Sequence, residues 1–316
     1  MKNLFLTLSI LITALMLSCS KSNKGNDTDP EDPAGAPSKT WQEHWGHHDL
    51  LMKRVYYDDH VAVYYDDNVD RSVTWLFKAM SDSWAYVKQT YGDFGPDKRL
   101  FANFHISRKV FNPATQMEED QLGGGHPASY FDADHDFRNV IDNGLGNWTY
   151  PTGEQIGIPI HEMGHIVCGA SHGAKGSPSD VLWGDSKFME IFNYDVLLHI
   201  GREDEAARAY IQCMATKDDF PTPGSQWFKN WFFPIYSKYG KAAVLNRYFE
   251  LLSKHFPKNG NTYIRNLNYG EFVHFWSGAA GVNLKEQATI AFGWPEGWES
   301  MFKKAQQDFP NLTYPR

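Results

Sequence analysis

The segment His161-Glu162-Met163-Gly164-His165 carries the clearest chemical signal in this 316-residue chain. Residues four apart on a helix differ by about 40° around its axis, so both imidazoles project from one face toward a single point. Neutral imidazole nitrogen suits zinc, and Glu162 sits beside the pair, where its carboxylate reaches a water at the metal as general base without being a ligand. In a chain with 13 histidines this pattern arises by chance about 0.02 times. The bland alternative is a pair of structural histidines on a helix. The apolar flanks Ile158, Ile160, Ile166 and Val167 favour the metal reading and predict a helix over 158–170. That helix is expected to start near Ile158, because Pro159 is best tolerated in a first turn.

A catalytic zinc takes three protein ligands and leaves a water position open, so a third ligand is needed. Glu190 leads, because it lies in a segment, Phe188-Met189-Glu190-Ile191-Phe192, that reads as a buried helix. A carboxylate there needs a partner, either the metal or a nearby Lys or Arg. Asn193, at i+3, would share its face and could orient a ligand histidine. His172 is the rival. In the metzincin spacing Gly and His follow the second histidine by three and six residues, whereas Gly169 and His172 follow by four and seven. Asp180 and Asp185 are loop acids near a helix start, where capping explains them.

The elements that must position these residues fall into two halves. Val61 to Tyr65 reads as a strand, Arg71 to Tyr91 as a helix, Leu100 to Ile106 as a second strand, with further strands near Ala128 to Phe131 and Val140-Ile141. Helical windows follow at 186–215, 225–238, 241–256, 269–279, 284–291 and 297–308. The fold class is α+β: a mixed α/β subdomain with a small sheet over 41–170, ending in the zinc-motif helix, then a mainly helical subdomain over 171–316.

The residues resemble the gluzincin zinc metallopeptidases, whose pattern is H-E-x-x-H with a glutamate on a later helix. Within that group they are similar to enhancin-like peptidases, through Ile158-Pro159-Ile160 before the motif and Glu190-Ile191-Phe192-Asn193 after it. Phe272 to Leu284 and Phe292-Gly293-Trp294-Pro295 resemble the closing helices of such domains. The resemblance implies a zincin-like fold, a Zn2+ cofactor and hydrolysis of proteins or mucin-type glycoproteins. It also implies that the segment Gly123-Gly124-Gly125-His126-Pro127 offers an edge strand to the substrate backbone. Two positions depart from the pattern. Tyr194 stands where the thermolysin-like branch has aspartate, with Asp195 one further on, and Tyr236-Ser237-Lys238-Tyr239-Gly240 carries one residue more than the aminopeptidase Tyr-x-Lys-Gly. Tyr236, Tyr239 or a histidine is left as the oxyanion donor, against helix-end packing with Gly240 as C-cap.

The remaining features set the context. Lys and Arg total 30 against 38 acids, net charge -8, which argues against nucleic acid as a partner. Residues 1–18 read as a signal peptide and Leu15-Met16-Leu17-Ser18-Cys19 resembles a lipobox. Cys19 is then a lipid anchor, 19–40 a disordered tether, and the destination the outer membrane, at the cell surface or periplasmic face. A monomer is expected. Cys168 and Cys213 are left free to pair or not. Asp132, Asp134 and Asp136 alternate as in a calcium loop but lack its glycine and glutamate, so a solvated acidic turn is preferred. His44, His47 and His48 read as surface histidines, and the 11 tryptophans as core or sugar-binding residues. A non-catalytic surface lipoprotein that binds glycoprotein is the competing function class.

Overall fold

The computed structural model describes residues 32–43, 50–106, 109–120, 124–144 and 146–315. The signal segment, Cys19, His44, His47, His48 and Gly123 lie outside the described residues. Asp32 to Ala36 stand as their own unit, with a turn closed by Ala36 N–H on Pro33 O at 3.1 Å. Everything described from Pro37 onward forms a second unit, so the last four residues of the expected tether belong to the folded body.

Six strands make one curled mixed sheet: β1 (Thr40–Gln42), β2 (Leu51–Tyr57), β3 (Val61–Tyr65), β4 (Leu100–Phe104), β7 (Gly125–Ala128) and β8 (Asn139–Asn143). A separate hairpin joins β5 (Lys109–Asn112) to β6 (Met117–Asp120). The order is β1-β2-β3-β4-β8-β7, with β3, β4 and β8 mutually parallel and β7 antiparallel at one end. The three parallel strands are buried along their whole length. That burial on both faces explains why they read as nearly continuous apolar runs rather than alternating ones. Val61, Val63, Tyr65, Leu100, Ala102, Phe104 and Ile141 join the large core with the helices. Ala62, Tyr64, Phe101 and Val140 lie on the other face with Trp41 and Met52.

α1 (Trp75–Tyr91) crosses from β3 to β4. It starts four residues later than the apolar spacing suggested, because Asp70 Oδ1 takes the Ser72 N–H at 2.9 Å and holds the preceding residues in a turn. α2 (Glu154–Ala170) follows β8 and carries the His-Glu-His segment. It begins one turn before Ile158 and takes Pro159 inside. Burial of Ile156 offsets the backbone bond that proline cannot donate.

The expected helix 186–215 is two helices, α4 (Lys187–His199) and α5 (Glu203–Ala215), preceded by a short α3 (Asp180–Trp183). Gly201 breaks it at φ +74, a left-handed conformation that glycine adopts without steric cost, so α5 turns back onto α4. The window 225–238 splits into a π-helical stretch, Trp227–Phe232, and α6 (Phe233–Lys238). Then come α7 (Ala242–His255), a two-residue hairpin of β9 (Lys258–Asn259) and β10 (Thr262–Tyr263), α8 (Tyr269–Ala280), α9 (Lys285–Phe292) and α10 (Trp298–Asp308). Asn268 and Glu271 form a reciprocal capping box that starts α8.

One apolar cluster runs from Val61 to Leu312, so the two halves foreseen on either side of residue 170 share a core. Trp84, Trp148, Trp183, Trp227, Trp231 and Trp276 are all fully buried in it, which answers the tryptophan question for those six in favour of packing. Among the described residues no helix is long and apolar enough to cross a membrane.

Candidate metal centre

α2 brings the two imidazoles together as their spacing requires: His161 Nε2 and His165 Nε2 are 3.1 Å apart. Each side chain is mostly covered, at 23% and 17% exposure. Burial pushes the His161 pKa down to about 4 and lowers that of His165. Both rings are therefore neutral near neutral pH, the form that ligates a metal. Glu162, one residue on, points into the protein and is buried. Burial, with Asp185 and Asp142 adding negative charge, raises its pKa to about 8.

Two glycines set the positions around this segment. A Cβ on Gly125, in edge strand β7, would lie 2.2 Å from Cγ, Cδ and Oε1 of Glu162. The edge strand is thus laid directly against that carboxylate. A Cβ on Gly164 would lie 2.9 Å from Met189 Sδ and 3.0 Å from Phe192 Cδ1, so the glycine inside the motif lets α4 press onto α2.

The carboxylate that stands at the pair is Asp185, in the link between α3 and α4. Its Oδ1 is 3.2 Å from His165 Nε2 and its Oδ2 is 4.0 Å from His161 Nε2. One ligand atom from each of His161, His165 and Asp185 lies within 4.8 Å of the others. The capping role expected for Asp185 is not what it does, since no side chain caps the start of α4. Glu190 is held by Lys187 Nζ on its Oε1 at 2.7 Å, and Lys187 also reaches Asp218 at 3.0 Å. That is the ion-paired arrangement foreseen as the alternative for this residue. Its Oε2 is buried and has no hydrogen-bond partner. Glu190 nevertheless shares a cavity of about 740 Å³ with His161, bounded also by Ile158, Met189, Arg208 and Cys213. A second cavity of about 660 Å³ lies on the His165 side, between β7 and residues that include Asp132, Lys175 and Asp180.

Several other expected residues lie elsewhere. His172 is in a tight turn after α2, at φ 53, with Nε2 at 2.7 Å from Asn246 Oδ1 of α7. The extra residue in its spacing carries it away from the pair. Asn193 donates to Gly157 O at 3.1 Å, tying α4 to the α2 backbone instead of orienting an imidazole. Tyr236 donates to Asp195 Oδ1 and Tyr86 to Asp195 Oδ2, each at 2.7 Å, and Tyr236 is buried. Tyr239 packs half-buried against the core. Cys168 and Cys213 are both free thiols. Asp132 accepts from Ser129 and pairs with Lys175 at 3.2 Å, closing an acidic turn.

The fit of a metal rests on the donor set: two neutral imidazoles at ligating separation, one carboxylate beside them and a second whose buried oxygen is unsatisfied. Asp185 was hard to find from sequence, and Gly125 was legible only as part of an expected edge strand, not as a contact of Glu162. The one looked like a cap, and the other matters only because a strand distant in sequence presses it on Glu162. Comparison with protein-family models, with curated proteins and with solved structures gives no match at any of the three levels.

Proposed function

We propose that the chain is a zinc-dependent peptidase of zincin-like architecture, acting on extracellular proteins or glycoproteins and anchored through Cys19 at the outer membrane. The observation that carries this reading is the 3.1 Å separation of the two Nε2 atoms on one helix face, with a buried carboxylate on the next residue. His161, His165 and one carboxylate hold the ion. When bound, zinc supplies a Lewis acid that polarises a carbonyl and lowers the pKa of water. A cation beside it would draw the raised pKa of Glu162 down, and the carboxylate would then take the proton of the attacking water and pass it to the leaving amine. β7, a terminal strand of the sheet, runs alongside the pair and presents an edge for an extended substrate chain.

Asp185 is the third ligand favoured by its position. Glu190 is the second reading, favoured by its unsatisfied buried Oε2 in the cavity wall that His161 also forms. Metal analysis of the full chain beside the variants separates them: the true ligand's variant, Asp185→Ala or Glu190→Gln, loses the ion and the other retains it. Glu162→Gln should keep the ion and lose roughly 10²- to 10⁴-fold in cleavage of casein or a mucin-type glycoprotein. Metal retention with no cleavage by the unmodified chain would instead favour a glycoprotein-binding lipoprotein.

A further inference from the structure

A second cluster of ligand-type side chains stands at the carboxyl ends of the parallel strands. Asp66 directly follows β3, His105 directly follows β4, and Asp142 is the fourth residue of β8. Strand ends in open sheets that contain parallel strands are where polar groups from different chain segments most readily converge. Glu43, just after β1, joins them because the sheet curls until Trp41 packs 5.4 Å from Phe101 of β4. All four residues are buried, Asp142 completely.

Two carboxylate oxygens crowd one nitrogen of the buried imidazole. His105 Nε2 lies 2.6 Å from Asp142 Oδ1 and 2.7 Å from Glu43 Oε1. A ring nitrogen carries at most one hydrogen, and the contact with hydrogen-bond geometry is the one to Asp142. Glu43 Oε1 is left buried with no hydrogen-bond partner although it points at Nε2, while its Oε2 accepts from Leu50 N–H at 3.2 Å. One ligand atom each from Glu43, His105 and Asp142 lies within 4.8 Å of the others. On the other side of the ring, Asp66 Oδ2 is 3.6 Å from Nδ1. Its Oδ1 is held by the Asn68 and Val69 N–H groups.

We propose that Glu43, His105 and Asp142 hold a second divalent ion, a structural zinc or similar transition metal, separate from the His161 and His165 centre. One imidazole nitrogen with two carboxylate oxygens suits zinc, whereas calcium and magnesium take oxygen alone. The ion satisfies Glu43 Oε1 and offsets the charge of closely set buried carboxylates, which is costly without a partner. It also pins the three-residue strand β1 to β4 and β8, so its role is to hold the curl of the sheet. The proposal does not depend on the peptidase reading.

The test is the metal content of the full chain, purified without chelator, by inductively coupled plasma mass spectrometry. Two equivalents of divalent transition metal are expected, and one should survive in His161→Ala/His165→Ala. Adding Glu43→Gln, or independently His105→Asn, to that background should remove it while circular dichroism still reports a folded chain. A melt of the His161→Ala/His165→Ala background needs no change at the second cluster. Its Tm should fall on exhaustive chelation and recover on adding zinc. The proposal is overturned if that background holds no metal, if the equivalent survives Glu43→Gln, or if chelation leaves the Tm unchanged. Each of those results makes the cluster a proton-sharing network.

Discussion

Adding one methyl group at Gly125 tests whether the edge strand positions Glu162. The Cβ of Gly125→Ala would arrive 2.2 Å from three atoms of the Glu162 side chain, where carbon atoms normally rest at about 3.5–4.0 Å. Gly125 is not among the residues with positive φ, so alanine is compatible with the backbone and the conflict lies wholly in that contact. The atoms struck are the far end of a flexible side chain, so Glu162 yields before the strand does. The expected loss of stability is therefore small, near the lower end of the roughly 1–3 kcal/mol typical of overpacking. The displacement of the carboxylate is not small, at about 1 Å or more. A misplacement of that size costs about 10²-fold in rate, or about 2.7 kcal/mol in the barrier. His161 and His165 are untouched, so metal content should match the unmodified chain. Three measurements on Gly125→Ala decide the matter: metal per chain, Tm, and initial rates of glycoprotein or casein cleavage. Unimpaired cleavage with full metal would refute the reasoning, and so would a loss of rate that merely follows unfolding.

Gly164→Ala puts its methyl group 2.9 Å from Met189 Sδ and 3.0 Å from Phe192, forcing α4 from α2. A loss of about 1–3 kcal/mol should appear as a lower midpoint in denaturant titration. Tyr236→Phe removes a buried hydrogen bond to Asp195 and should cost about 1.5–3 kcal/mol of stability. Its kcat should change little, and a large fall in kcat at unchanged Tm would restore this tyrosine as an oxyanion donor. Asn246→Ala frees His172 from its 2.7 Å contact and should leave metal content unaltered, as measured by mass spectrometry; loss of the ion would return His172 to the ligand set.

How much was legible in advance depended on whether the deciding contacts were local. The strand Val61–Tyr65 and the helices near 242–255, 269–280, 285–292 and 298–308 follow from side-chain periodicity, and the sequence windows found them within a residue or two. The break at Gly201 and the entry of Pro159 into α2 were missed. Periodicity continues across the first, and burial of Ile156 outweighs the local preference at the second. β1 and β2 were missed because β1 has only three residues and β2 is mostly half-exposed, so neither carries a clear apolar run.

The chemistry divides along the same line. His161, Glu162 and His165 sit on one helical turn, and helix geometry alone brings the two imidazoles to a common point. Their amino-acid sequence determined that much. The choice of carboxylate did not reside there. Glu190 and Asp185 are five residues apart; Lys187, three residues before Glu190 on α4, pairs with it locally, whereas the link between α3 and α4 carries Asp185 to the histidines. Gly125 meets Glu162 across 37 residues, and Glu43 meets Asp142 across almost a hundred, through the curl of the sheet. Those encounters come from the packing of whole elements, so only the tertiary structure could decide them.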